Sequence, residues 1–292
     1  MSSVSLQVRG VHLLRKKLPR EQRSPERLHA HYVIERALAQ RLRSATKEER
    51  KRLYAEVYDE LFRSVPDHPQ HTEREDPAQR AAVAAKRAGL LSRFLAPAST
   101  FLEVGPGDLS LALQVARRVR KVYAVDVSSE ITKDSKLPSN FELILSDGSS
   151  IPVPENSVDV AYSDQLMEHL HPDDALDQLK NIFRSLKPGG SYICMTPNRI
   201  SGPHDISLYF SDVPSGFHLR EYTTTELVRI LKDAGFSKVS VPVPVAGRYI
   251  VLPAFLATAL ESALGLLPRK AARWLASLIL LRPVLNRVVA TK

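Results

Sequence analysis

The stretch Ser99–Asp126, STFLEVGPGDLSLALQVARRVRKVYAVD, does most to restrict what this chain can fold into. Phe101, Leu102 and Val104 form a short apolar run of the kind a buried strand shows, and the run stops at Gly105-Pro106-Gly107. That turn needs glycine at both ends. Leu109, Leu111, Leu113 and Val115 then lead a helical stretch, with Asp108 or its predecessor at the cap. A second strand, Val122–Val125, ends on Asp126. Strand, glycine turn, helix and strand with a terminal acid make a nucleotide-binding βαβ unit, whose glycines let backbone approach a ligand facing the helix N-terminus. Asp126 lies about twenty residues past the glycines, where an acid can accept ribose hydroxyls. A dinucleotide fingerprint would place Gly or Ala where Ser110 stands, and Glu103 before the turn suits a ligand carrying positive charge. A tight βα turn with no ligand is the plain alternative.

Beyond residue 99, strand and helix alternate. Phe141–Leu145 leads to Ser146-Asp147-Gly148, and Val158–Tyr162 enters Ser163-Asp164-Gln165-Leu166-Met167-Glu168-His169. A helix over 173–186 stops at Lys187-Pro188-Gly189-Gly190, and the strand Ser191–Thr196 follows. Thr223–Glu226 starts a helix ended by Gly235, and Val239–Val245 closes the sheet. The expected fold is α/β: a doubly wound, mostly parallel Rossmann-like sheet with helices on both faces. Residues 79–247 make that domain, with a polar loop at 196–221.

Residues 1–78 read as a basic helical extension. Ser24-Pro25-Glu26 launches a helix to about Arg43, Thr46–Glu49 matches a capping box, and Asp76-Pro77 opens a third helix. His68 and His71 sit in a polar stretch between them and read as loop residues without a metal. Residues 248–292 read as an amphipathic helical tail. Its apolar runs, Tyr249–Leu260 and Trp274–Leu281, are too short to span a bilayer. Self-packing or a homodimer is the first expectation for the tail, and peripheral contact of residues 249–292 with an anionic membrane the second.

Of 292 residues, 43% are apolar and 25% charged, a globular balance, and the net charge is +9. Residues 1–60 hold 14 Lys or Arg and 8 Asp or Glu, which suits an anionic partner or a solvated helical surface. The lone cysteine, Cys194, lies in an apolar run and fits a reducing cytosol. The N-terminus shows no apolar core of a secretory signal, so the expected place is the cytoplasm, with peripheral membrane contact as the variant.

The ordered set EVGPG, VDVS, SDGSSIPVPENSVDVAYSDQLMEH, LKPGG and EYTTTELVRILKDAGF resembles the class I S-adenosylmethionine-dependent methyltransferases of the type 11 group, the ubiquinone/menaquinone-methyltransferase-like enzymes, over roughly residues 80–245. The resemblance implies S-adenosyl-L-methionine as cofactor, held by Glu103, Gly105, Gly107, Asp126, Asp147 and Gly148. Asp147 would take the adenine amino group. It also implies methyl transfer, with a small-molecule or glycan-like hydroxyl as the expected acceptor. His169, after the fourth strand, is the leading base, since its pKa range suits proton removal near neutrality. His204 and His218 in the long loop are the alternatives. A related branch holds a metal with E-x-x-E-H, but Gln165 stands where the first acid would be, so no metal is expected. Nucleic acid is disfavoured because Ser163-Asp164-Gln165-Leu166 lacks the N/D-P-P-Y/F pattern of amino methylation. The rival readings are an NAD-dependent oxidoreductase and a non-catalytic interaction protein keeping the fold.

Overall fold

The computed structural model describes residues 21–69, 77–127, 137–245, 248–278 and 281–292. Among them, eight strands form one sheet: β1 (Thr100–Val104), β2 (Lys121–Asp126), β3 (Phe141–Leu145), β4 (Val158–Asp164), β5 (Leu186–Met195), β6 (Lys238–Val245), β7 (Arg248–Pro253) and β8 (Arg287–Thr291). Their order is β3-β2-β1-β4-β5-β8-β6-β7. β1 to β5 pair in parallel, while β8 runs antiparallel to both β5 and β6. The order reverses beside β1, so a crevice opens at the carboxyl ends of β1 and β4, where α/β sheets bind ligands.

Neighbouring residues of one strand feed opposite layers, as the pleat requires. Phe101 packs with Ala84, Ala88 and Leu91 of α3 (Pro77–Leu91) and Leu111 and Val115 of α4 (Ser110–Ala116). Leu102 and Val104 pack on the other face with Leu179 and Ile182 of α5 (Pro172–Ser185) and Leu227 and Leu231 of α6 (Thr224–Asp233). That second layer also takes in Leu38 and Leu42 of α1 (Pro25–Ser44) and Tyr54, Val57 and Leu61 of α2 (Lys47–Ser64). The helix starts follow local rules. Ser24 caps α1 ahead of Pro25, and Thr46 with Glu49 forms the expected capping box on α2.

Four expectations need correction. The tail beyond 248 does contain helices, α7 (Ala254–Gly265), α8 (Arg269–Ser277) and the short α9 (Arg282–Leu285), but it is not helical throughout. Its strand β8 sits inside the sheet, with Val288, Val289 and Ala290 all buried. A strand covered on both faces shows no alternation, so RVVAT reads as more apolar tail. Second, the sheet closes on β7, not on Val239–Val245. Third, α5 stops at Ser185 and LKPGG already belongs to β5, through an irregularity opposite Val158 and Val160. Fourth, the helices of residues 1–78 belong to the core of the fold as far as they are described, and His68 is buried beside Glu35, not a solvated loop residue. Residues 1–20, His71, Asp76 and Ser128 lie outside the described residues.

Candidate active site

A cavity of about 850 Å³ lies over the carboxyl ends of β1, β2 and β4. Its floor is Glu103, Gly105, Pro106, Gly107, Asp126, Asp164 and His169. Gly105 and Gly107 have φ of +68° and +57°, the left-handed region that favours glycine. A side chain at Gly105 would strike Leu166, whereas beside Gly107 there is open space. The walls come from α2 (Tyr58, Asp59, Phe62, Arg63) and α3 (Gln79, Arg80, Val83, Arg87). Val83 of α3 faces this space and is partly exposed.

Glu103 is buried, and burial pushes its carboxyl up to about 8 against the pull of the Arg87 guanidinium. Arg87 is committed elsewhere, in an ion pair with Asp164 at 2.5 Å, and Tyr162 donates its hydroxyl to the same carboxylate at 3.0 Å. Glu103 Oε2 therefore has no hydrogen-bond partner among the described residues.

Asp126 stands at the end of β2 as expected, its Oδ1 accepting from the Val127 amide at 2.7 Å. Asp147 differs. Its carboxylate accepts from the amides of Ser149 and Ser150 at 2.9 and 2.7 Å and from the Ser150 hydroxyl at 2.8 Å, and it lines neither this cavity nor the smaller one beside it. Gly148 does line that smaller cavity, together with Val125, Val127, Leu166 and two residues the sequence reading missed, Tyr54 and Tyr58. A Cβ on Gly148 would lie 2.7 Å from Tyr54 Cδ2. Tyr54 is held there by its hydroxyl, which donates to Asp174 at 2.7 Å and accepts from the His171 amide at 2.9 Å. The Leu53, Val57, Leu61 spacing marks α2 as amphipathic but cannot show that its tyrosines roof a pocket.

The three histidines separate. His169 lines both cavities, and its Nδ1–H donates to the Phe217 carbonyl at 3.1 Å, which leaves Nε2 as an acceptor. Burial, with the His218 charge nearby, pulls its pKa down to about 3. His218 and His204 line neither cavity and share Glu221, at 2.8 and 3.3 Å. The 196–221 loop as a whole is absent from the cavity lining, because its polar groups bond one another: Asp205 takes the amides of Ser207 and Gly216, and Asn198 reaches Glu261.

Two groups bring metal-ligand atoms within 4.8 Å of one another, His31 with Glu35 and His68, and Glu168 with His169 and His218. Arg23 already donates to His31 Nδ1 at 2.9 Å. His218 is a cation in its own right, its pKa raised to about 9 by the Glu221 carboxylate against burial. In the second group Glu168 Oε2 accepts from the Thr196 hydroxyl at 2.8 Å, while its buried Oε1 has no hydrogen-bond partner among the described residues.

S-adenosylmethionine suits the main cavity on three counts. The volume is in the range of cofactor sites. The backbone at Gly107 is open to a ligand. The orphan oxygen of Glu103 offers a buried acceptor for an ammonium group.

Residues 102–194 match the family model described as a methyltransferase domain. A probable S-adenosylmethionine-dependent methyltransferase of Mycolicibacterium smegmatis is 39% identical over 141 residues, 46% of this chain and 51% of that protein. Another, from Mycobacterium tuberculosis, is 33% identical over 164 residues, 53% of this chain and 56% of that protein. The chain thus spans about half the length of the curated relatives it matches. The crystal structure of an S-adenosylmethionine-dependent methyltransferase from Aquifex aeolicus is 25% identical with a TM-score of 0.46, covering 62% of this chain and 95% of that one.

Proposed function

We propose, from the premise that residues 102–194 are a class I S-adenosylmethionine-dependent methyltransferase domain, that this chain transfers a methyl group to the oxygen of a small-molecule or glycan-like hydroxyl. The observation that carries the reading is His169, the one candidate base that lines the cavity, with Nε2 left as an acceptor.

When bound, the cofactor supplies a methyl group activated on a sulfonium. Glu103, Gly105, Gly107 and Asp126 hold it, Glu103 through its ammonium and Asp126 through its ribose. Gly148 with Tyr54 and Tyr58 encloses the base. Asp147 shapes the loop that presents Gly148. The acceptor lies between α2 and α3, where Tyr58 and Phe62 offer an aromatic face beside Asp59, Arg63, Gln79 and Arg80, a mix that suits a sugar ring. His169 Nε2 accepts the hydrogen bond of the acceptor hydroxyl and takes its proton as the oxygen gains its methyl. With a pKa of about 3 it is a weak base, so it works by orienting the lone pair more than by ionising the alcohol. Cys194, buried and unpaired, suits a reducing compartment, and we place the protein in the cytosol.

The test is release of S-adenosylhomocysteine by the full chain from fractionated hydroxylated metabolites and glycans. Release that follows amine-bearing fractions and ignores hydroxyl-bearing ones would move the reaction away from oxygen.

A further inference from the structure

We infer that the α7–α8 hairpin is a docking surface for an anionic lipid bilayer. The solvent side of α7 carries Phe255, Leu256, Ala259, Ala263 and, just past its end, Leu266, with no charged residue among them. Phe255 is 65% exposed, Leu266 88% and Trp274 of α8 63%, values unlike those of side chains that pack on their own domain. A helix pair of this kind ordinarily turns polar groups outward, so an exposed apolar face of this extent marks a contact with something else.

The charge says what that contact is. Residues 248–292 contain seven Lys or Arg and one acid, Glu261. Glu261 is buried, taking the Thr224 and Thr225 amides at 2.6 and 2.8 Å, so no acidic side chain of this tail faces solvent. Arg269 and Lys270 are exposed at the turn between Leu267 and Trp274. An isologous dimer through this face would set those cations against their own copies. An anionic leaflet matches them instead, with Phe, Leu and Trp entering the headgroup boundary and Lys and Arg meeting phosphate. No helix among the described residues is long and apolar enough to cross a membrane, so the hairpin lies on the surface.

The experiment is co-sedimentation of the full chain with vesicles of phosphatidylglycerol and phosphatidylcholine, and with phosphatidylcholine alone, with S-adenosylhomocysteine affinity as a check on folding. The expected result is binding to the anionic vesicles, weakened by salt and at least tenfold stronger than to neutral ones. Leu266→Glu should abolish it and Lys270→Glu should weaken it severalfold, both with cofactor affinity unchanged. Three results would overturn the inference: no sedimentation with anionic vesicles, equal binding by Leu266→Glu, or a concentration-dependent dimer that Leu266→Glu dissociates while vesicles are ignored. Cofactor binding is read separately, so failure here leaves the methyltransferase reading standing.

Discussion

Arg50 on α2 grips Asp174 on α5 through two bonds, Nε to Oδ2 at 2.6 Å and Nη2 to Oδ1 at 2.9 Å, with both side chains buried. This pair, with Tyr54 on the same carboxylate, fixes the helix that roofs the cofactor pocket to the body of the domain.

Asp174→Ala should therefore be costly. It leaves the Arg50 charge buried without its partner, a change worth about 3–5 kcal/mol. Thermal unfolding should show a clear drop in midpoint. Although burial alone would raise it, the Asp174 carboxyl is held below its usual range by Arg50 and Tyr54. Its contribution is thus present above the ordinary carboxylate pKa and is lost as pH falls through the lowered one. The wild-type–mutant difference should shrink in acid.

Glu103 predicts the opposite slope. Its folded pKa of about 8 lies above the unfolded carboxylate value, so its neutral form is fully compatible with the fold in acid. Stability falls as pH rises from the ordinary carboxylate range toward 8. A ligand ammonium needs the ionised form, so calorimetric affinity for S-adenosylhomocysteine should rise toward pH 8, by up to about tenfold per unit. Glu103→Gln should flatten both profiles.

His169→Ala should lower turnover by about 10²-fold with cofactor affinity little changed. Because its pKa is near 3, the wild-type rate should show no inflection from this group between pH 6 and 8. Equal loss in His218→Gln, with His169→Ala silent, would transfer the role.

Asp126 and Asp147 should separate cleanly. Asp126→Ala loses charge-assisted bonds worth about 1.5–3 kcal/mol each, seen as a tenfold or larger loss of calorimetric affinity. Asp147→Ala releases the Ser149 and Ser150 amides, so it should lower the unfolding temperature first. A pure affinity loss at Asp147 would restore its reading as an adenine ligand.

The βαβ unit was legible because its signals are local: a glycine turn, a strand of five residues and an acid at a strand end. The sheet's mostly parallel character and the capping box on α2 followed in the same way. What escaped depends on distance along the chain. Tyr54 reaches Gly148 only because α2 folds back over the sheet, and nothing near either residue announces it. Asp147 is ambiguous in sequence because an Asp-Gly pair serves a turn and a ligand equally well, and the structure adds its bonds to the two following serines. The long polar loop misled because hydrogen-bonding side chains in sequence look the same whether they face a substrate or each other.

The place of β8 has a consequence for how the molecule is made. Met195 pairs with Arg287, so the carboxyl half of the sheet stays open at β5 while more than a quarter of the chain is still to be synthesised. Until β8 arrives, β5 presents an unpaired edge, and the β6–β7 hairpin has no neighbour to dock on. The nascent protein thus passes through a stage in which its most aggregation-prone border is bare. A holding chaperone, or rapid emergence of the last strand, would govern how much of it matures.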